Sequence, residues 1–190
     1  MTVKDNELLW AKVKPDAIIP TKKDEDAGYD IYPCFEEDYI IIPPHETKMV
    51  PTGIASAFSE NYVAVLKERG STGTKGMAQR CGVIDSGFRN EWFVPITNTT
   101  NGWIIISKLS EEELFNKYEL EDEVGIEYIL YKNNRICRYG ALKIIYPYSK
   151  AICQALLLPV PKMIANEITY EELKTIESNR GTGMLGSSGK

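Results

Sequence analysis

Short runs of β-branched and aromatic residues, separated by glycine and proline, recur along most of this sequence. Seven such runs show the apolar alternation or clustering of β-strands, at residues 10–14, 39–42, 62–66, 92–96, 102–106, 126–131 and 142–146. Proline has no backbone donor and glycine weakens regular structure, so these interruptions favour turns over long helices. The pattern predicts an all-β fold, namely a barrel, a jelly roll or a sandwich.

Two helices are expected outside this strand pattern. Ser110 and Glu113 have the spacing of a capping box at the start of an acidic segment, and a second helical pattern covers residues 169–174. Between positions 110 and 123 there are seven acidic residues and one lysine, which leaves 20 acidic and 21 basic residues in the rest of the chain. The net charge of −5 is therefore local, and neither nucleic-acid binding nor a basic membrane surface is expected.

Length and composition indicate one soluble domain. A chain of 190 residues with 43% hydrophobic residues can bury an ordinary core, and no apolar run approaches the roughly 20 residues of a membrane span. The four cysteines lack paired spacing and His45 is the only histidine. We therefore expect neither a structural zinc site nor a disulfide framework.

Three segments have the chemistry that suits a polyphosphate, at residues 69–73, 82–89 and 180–190. In the first and third, glycine lets the backbone approach phosphate oxygens, hydroxyls donate hydrogen bonds and arginine offers a bidentate cation. The second contains Asp85 and Phe88, a carboxylate and an aromatic ring three residues apart. This pair suits a base that orients water beside a sugar or nucleobase platform.

Together with two further segments, these resemble the five ordered motifs of the trimeric dUTP pyrophosphatase (dUTPase) family. The motifs lie, in order, at residues 26–31, 69–73, 82–91, 151–154 and 180–189. They span most of the chain, and the third motif, Gly-Val-Ile-Asp-Ser-Gly-Phe-Arg-Asn-Glu, is the most specific. The resemblance implies a dUTPase-like jelly roll that assembles as a homotrimer with shared active sites.

The resemblance also implies hydrolysis of dUTP to dUMP and pyrophosphate, with water attacking the α-phosphorus. This reaction keeps uracil out of DNA and supplies dUMP for thymidylate synthesis. Asp85 is implied to orient the water, Asp30 to contact Mg²⁺ through water, and residues 79–83 to form the hairpin that reads uracil. The implied substrate-binding residues are Arg69, Gly70, Ser71, Thr72, Gln79, Gly82, Val83, Ile84, Phe88, Phe93, Gln154, Arg180, Leu185, Gly186, Ser187 and Ser188.

Two departures from the family pattern affect the phosphate and sugar contacts. Gly70 follows Arg69 where the family usually has serine, so either Ser71 or Thr72 is the implied phosphate contact. Phe88 replaces the usual tyrosine at the sugar, which keeps the flat face of the ring and loses the hydroxyl.

A third departure concerns the residue that covers uracil. Leu185 stands where most members have a phenylalanine. Bacillus and phage members that also lack this phenylalanine resemble the chain at residues 92–95, and the resemblance makes Phe93 the implied lid. The alternative for Phe93 is a strand residue within the core.

The expected domain organisation follows from the motif positions. Residues 1–177 are expected to form a single β domain, and residues 178–190 a flexible tail that completes the active site. An inserted arm is expected at about residues 100–140, because the span between the third and fourth motifs is longer than most members need. Its acidic helix is either a solvated face or a surface for a protein partner, as in some phage members. The implied location is the cytoplasm of a bacterium or of a phage-infected cell.

Two other functions stay open at this point. The dCTP deaminase family shares the fold, but its catalytic glutamate lies ten positions beyond the motif aspartate, where this chain has Pro95. A non-catalytic nucleotide sensor that binds a protein partner would keep the pocket and could dispense with Asp85. Turnover of dUTP separates an enzyme from a sensor.

Overall fold

The computed structural model describes residues 3–80, 82–121, 143–179 and 181–182. They belong to two compact units, Met1–Val160 and Pro161–Lys190. The strands are β1 Leu8–Lys12, β2 Tyr29–Ile31, β3 Tyr39–Ile42, β4 Thr47–Pro51, β5 Ile54–Phe58, β6 Tyr62–Lys67, β7 Met77–Gln79, β8 Val83–Ile84, β9 Phe93–Asn98, β10 Trp103–Ser107, β11 Lys143–Pro147 and β12 Cys153–Pro159. The helices are α1 Gly70–Gly73, α2 Glu111–Glu121 and α3 Tyr170–Thr175.

The strands form four small sheets in the first unit, which confirms the predicted all-β class. Their orders are β1-β5, β11-β10-β3, β2-β12-β6-β8 and β4-β9-β7. Among the described strands every pair is antiparallel except β10 with β11. The strand expected at residues 126–131 lies outside the described residues.

The first predicted strand is shifted by two residues, because the chain turns after Lys12. Strand β1 pairs with β5 from Leu8 to Lys12. The next two backbone N–H groups, of Val13 and Lys14, both donate to the carbonyl of Gly53, at 2.7 and 3.1 Å. Val13 therefore leaves the ladder and is 50% exposed.

The main hydrophobic core joins buried residues of all four sheets and is rich in isoleucine and aromatic side chains. Trp92 is fully buried and meets Trp10 edge to face, with ring centroids 5.0 Å apart. Cys34 and Cys153 are buried in this core as free thiols. Within the described part of the chain, no helix is long and apolar enough to cross a membrane.

Helix α2 begins where the capping box predicts. The backbone N–H of Ser110 donates to the Glu113 carboxylate at 2.8 Å, and the Ser110 hydroxyl accepts from the Glu113 N–H at 3.1 Å. The first of these bonds lowers the pKa of Glu113. Leu114 is buried against Ile105, and Lys117 pairs with Asp38. The N-terminal half of the acidic helix is therefore docked on the β11-β10-β3 sheet.

A buried amide joins β3, β9 and the turn before β10. The Asn98 side chain donates to the carbonyls of Ile42 and Gly102, at 2.9 and 2.7 Å. Its oxygen accepts from the backbone N–H and the hydroxyl of Thr100, at 2.9 and 2.8 Å. These four bonds satisfy every donor and both acceptor sites of a fully buried side chain.

We expect Asn98→Ala to lower the free energy of unfolding by about 2–4 kcal/mol, because it leaves several buried polar groups without partners. Chemical denaturation measures this change. Thr99→Ala is the matched control, since the exposed Thr99 hydroxyl makes one bond, to Gly76 at 3.1 Å. Equal destabilisation by both variants would contradict a structural role for the Asn98 network.

Candidate active site

The register of three strands brings the first, second and fourth motifs together. Gln154 on β12 lies opposite Asp30 on β2 and opposite Lys67 at the end of β6. Arg69 follows β6 by two residues. It pairs with Asp30 through two parallel contacts, Nε to Oδ1 at 2.9 Å and a terminal guanidinium nitrogen to Oδ2 at 3.2 Å. A carboxylate, a guanidinium and an amide therefore meet at one edge of this sheet.

Glycine and backbone contacts hold Gln154 in this cluster. Its amide nitrogen donates to the carbonyl of Glu68 at 2.9 Å. A Cβ at Gly28 would lie only 2.8 Å from the Gln154 side-chain oxygen, so the close approach of β12 requires glycine there. The side-chain amide retains a second N–H that can donate to a ligand.

The helical turn α1 distinguishes the two hydroxyls of the second motif. The Thr72 hydroxyl is fully buried; it accepts from the Arg69 backbone N–H at 3.0 Å and donates to the Arg69 carbonyl at 3.1 Å. Ser71 is exposed, and nothing lies within 4 Å of a Cβ built at Gly70. Thr72 therefore builds the loop, and Ser71 is the hydroxyl that the loop presents to solvent.

Hydrogen bonds from the backbone and from the side chain of Gln79 fix the segment around this residue. The Gln79 backbone N–H donates to the Glu68 carboxylate at 2.7 Å, which is the largest cause of the lowered pKa of Glu68. The Gln79 amide donates to the Pro95 carbonyl at 3.1 Å. A Cβ at Gly82 would lie 2.6 Å from the Leu66 carbonyl, so the return strand needs glycine at this position. Cys81 lies outside the described residues.

Glu68 is a functional neighbour that the sequence interpretation missed. Its carboxylate fixes the backbone of the expected uracil hairpin, while its carbonyl holds Gln154. Its partners are 11 and 86 residues away in the chain. The only sequence signal is its position directly before Arg69.

The third motif forms a turn that leaves its carboxylate and ring accessible. Asp85 is exposed, and its carbonyl accepts from the Phe88 N–H at 3.0 Å. The Phe88 ring is 38% exposed. Val83, just before this turn, is 63% exposed although it is apolar, whereas Ile84 is half-buried. Glu91 ends the segment by accepting from the Gly53 N–H at 2.8 Å.

Asp85 and Arg69 of one chain lie far apart. Strand β8 pairs with β6 through Ala64↔Ile84 and Val65↔Val83, so Asp85 comes level with Val63. Arg69 is six residues further along the chain, which at strand spacing corresponds to roughly 20 Å. One chain therefore does not bring this carboxylate and this guanidinium to the same phosphate.

Phe93 is on the surface of β9, and its neighbours are buried. Its ring is 40% exposed, while Trp92 and Val94 are both fully buried. The rest of β9, from Val94 to Asn98, is buried, so Phe93 is the exposed residue at the start of this strand. The exposure excludes a core position for Phe93 within this chain.

The remaining predicted positions are in the tail. Arg180, Leu185, Gly186, Ser187 and Ser188 lie outside the described residues, so their roles stay predictions. Among the residues that are described, no group of three or more His, Cys, Asp or Glu side chains could hold a metal ion. Asp30 is the residue expected to contact Mg²⁺ through water. Its carboxylate is paired with Arg69.

Comparison with known proteins defines the class of this site. The structure matches that of the Staphylococcus bacteriophage 80alpha dUTPase with a TM-score of 0.66 and 20% sequence identity, over 97% of this chain and 99% of the phage chain. The fold is thus the dUTPase jelly roll. A sequence model of the dUTPase family matches residues 14–110, slightly more than half of the chain. The chain belongs to the dUTPase family.

Curated relatives agree with this assignment. A deoxyuridine 5'-triphosphate nucleotidohydrolase of Leptospira interrogans is 29% identical over 104 residues, which are 53% of this chain and 71% of the relative. The enzyme of the same name from Streptomyces coelicolor is 34% identical over 101 residues, 48% of this chain and 51% of the relative.

Proposed function

We propose that this protein hydrolyses dUTP to dUMP and pyrophosphate, by attack of water on the α-phosphorus. The observation that carries the proposal is the Asp30–Arg69–Gln154 cluster, formed by three of the family's motifs on adjacent strands. The names of the relatives and the match to the family support it. In the cell this reaction removes a precursor of uracil in DNA and supplies dUMP.

The phosphate contacts are assigned to Arg69, Ser71 and Gln154. Arg69 already presents two N–H groups to a pair of carboxylate oxygens, and phosphate oxygens offer the same bidentate geometry. The exposed hydroxyl of Ser71 and the second amide N–H of Gln154 add neutral donors. Donors that are already in position stabilise the negative charge on the oxygens of the reacting phosphate. They do not have to reorganise during the reaction.

The nucleoside contacts are assigned to the third motif and to Phe93. Asp85 would accept a proton from the attacking water, because its carboxylate is exposed and unhindered. Phe88 would pack against the deoxyribose, and the backbone of residues 79–83 would read the edge of uracil. A mismatched buried donor or acceptor costs on the order of 1–3 kcal/mol, which disfavours cytosine.

A homotrimer with shared sites accounts for the separation of Asp85 from Arg69. The roughly 20 Å between them along β6 is too long for one dUTP α-phosphate to touch both. Asp85 of one subunit can instead face the Arg69 cluster of a neighbouring subunit. The exposed apolar side chains of Val83, Tyr62 and Leu158 on the same sheet are suited to burial between subunits.

Magnesium fits this site as an ion that arrives with the triphosphate. Mg²⁺ prefers six oxygen ligands and keeps several waters, whereas Asp30 is a single carboxylate that already has a cationic partner. Asp30 would therefore hold the ion through water, and phosphate oxygens would supply the direct ligands. Bound in this way, the ion neutralises phosphate charge and orients the chain of phosphates.

Two further assignments complete the proposal. The tail residues Arg180, Ser187 and Ser188 would close over the phosphates, with Leu185 and Gly186 near the base. The acidic helix α2 would offer its exposed acids, such as Glu111 and Glu112, to a protein partner.

A substrate panel tests the proposed activity directly. With Mg²⁺ present we expect release of pyrophosphate from dUTP and far slower release from dCTP, dTTP and UTP, because the Phe88 ring leaves no space for a 2'-hydroxyl. Chelation of Mg²⁺ should abolish turnover. Ammonia release from dCTP would instead indicate a deaminase, and analogue binding without any turnover would indicate a sensor.

We expect Phe93→Ala to weaken the affinity for a non-hydrolysable dUTP analogue by about tenfold to a hundredfold, the usual effect of losing one base–aromatic stack. Calorimetry measures the affinity and thermal melting the stability. Trp92→Ala, at the fully buried residue directly before this strand, should act through stability. An unchanged analogue affinity in Phe93→Ala would exclude Phe93 as the lid.

A further inference from the structure

The segment expected to read uracil begins on one sheet and ends on another. Gln79 is the last residue of β7, which pairs with β9, and the segment ends on β8, which pairs with β6. The Arg80 backbone N–H and the Gln79 side-chain amide both donate to the Pro95 carbonyl, at 3.0 and 3.1 Å. At the other end, the Leu66 N–H donates to the Gly82 carbonyl at 2.6 Å. Each end is therefore fixed to its own sheet.

Glu68 joins the two sheets where this segment begins. It is the first residue after β6, and its carboxylate accepts the Gln79 backbone N–H at 2.7 Å. Strand β7 is the edge strand of the β4-β9-β7 sheet. Backbone groups on the outer side of an edge strand have no partner strand, and here the carboxylate takes that place. A hydrogen bond to a charged acceptor is stronger than one between neutral groups.

Three contacts restrict the movement of Glu68 itself. Its carbonyl accepts from the Gln154 amide at 2.9 Å, and its second carboxylate oxygen lies 3.8 Å from the Lys67 ammonium. A Cβ built at Gly73 would lie 3.5 Å from the Glu68 Cβ, so α1 passes directly beside the side chain. The carboxylate therefore holds Gln79 at a fixed position relative to β6 and to Gln154.

We propose that Glu68 is a positioning residue that maintains selectivity for uracil over cytosine. Uracil has an N–H and a carbonyl where cytosine has an acceptor and an amino group, so a backbone group separates the two bases only if its position is fixed. Without the carboxylate, the start of the segment loses its link to β6 and its backbone groups can rotate to accept cytosine. This inference rests on the proposed function, because it takes dUTP as the substrate and this segment as the reader of its base.

Glu68→Ala tests the inference. We expect the ratio of kcat/KM for dUTP to that for dCTP to fall about tenfold, the effect of one hydrogen bond to a charged group. The dissociation constant of a non-hydrolysable dUTP analogue should rise by a similar factor. Affinity for inorganic tripolyphosphate, which has no base, should change less than about twofold, because the variant retains the carbonyl that holds Gln154. Equal losses of both affinities would indicate a purely structural role and would overturn the inference.

Two conservative variants separate position from charge. Glu68→Gln keeps an acceptor at the same reach, so its dUTP-to-dCTP ratio should stay within about threefold of the parent. Glu68→Asp keeps the charge but is shorter by one methylene, so its carboxylate should not reach the Gln79 N–H. It should therefore resemble Glu68→Ala. The reverse order, with Glu68→Asp close to the parent and Glu68→Gln impaired, would contradict a positioning role.

Glu113→Ala is the matched control, because the Glu113 carboxylate also accepts a backbone N–H, that of Ser110 at 2.8 Å, at the start of α2. This variant removes the same charge and should leave the dUTP-to-dCTP ratio unchanged. A parental ratio in both Glu68→Ala and Glu68→Asp would overturn the inference. A parent protein that neither binds the analogue nor hydrolyses dUTP would instead overturn the proposed function itself.

Discussion

Asp85→Asn should lower kcat for dUTP by about 10²- to 10⁴-fold, the range that a positioned general base contributes. The amide has nearly the shape of the carboxylate, but it does not accept the proton of the attacking water. Asp85 is exposed in a turn and makes its described hydrogen bond through its backbone carbonyl. The fold and the analogue affinity should therefore remain close to those of the parent.

Single-turnover kinetics and calorimetry with a non-hydrolysable analogue separate these two effects. Glu91→Gln, in the same motif, is a useful comparison, because the Glu91 carboxylate accepts from the Gly53 N–H at 2.8 Å and contacts Lys14 at 3.7 Å. That variant should reduce stability more than the rate of the chemical step. Hydrolysis by Asp85→Asn at close to the parent rate would remove Asp85 from the mechanism.

Arg69→Ala should reduce kcat/KM for dUTP by about 10²- to 10³-fold, the cost of removing one preorganised charge-stabilising donor. Arg69→Lys should retain part of this activity, because the ammonium keeps the charge and loses the planar fork. Both side chains of the Arg69–Asp30 pair are about one-third exposed, at 32% and 31%. Loss of such a pair costs at most about 1 kcal/mol of stability, so the variant should fold.

Lys75→Ala is the control for a general loss of positive charge near the site, since Lys75 is exposed two residues after α1. Steady-state kinetics at two ionic strengths would show whether a rate effect arises from long-range attraction or from direct contact. A change in kcat/KM of less than about threefold in Arg69→Ala would contradict the assignment of Arg69 to phosphate.

The class of the fold and six of its twelve described strands follow from local sequence patterns. The short apolar runs at residues 39–42 and 62–66 became β3 and β6, because β-branched and aromatic residues bounded by turn residues favour strands locally. The capping box at Ser110 likewise set the start of α2. The motif resemblance pointed to the family that the comparison with known proteins then showed.

The fold determines which side chains are available to a ligand. Ser71 and Thr72 are equivalent candidates in the sequence, but the fold buries Thr72 in the cap of α1 and exposes Ser71. Phe93 could be core or surface in the sequence, and the fold leaves its ring 40% exposed. Glu68 reaches the site through partners 11 and 86 residues away in the chain. Local sequence patterns do not encode such contacts, because they arise only when distant strands pair in a particular register.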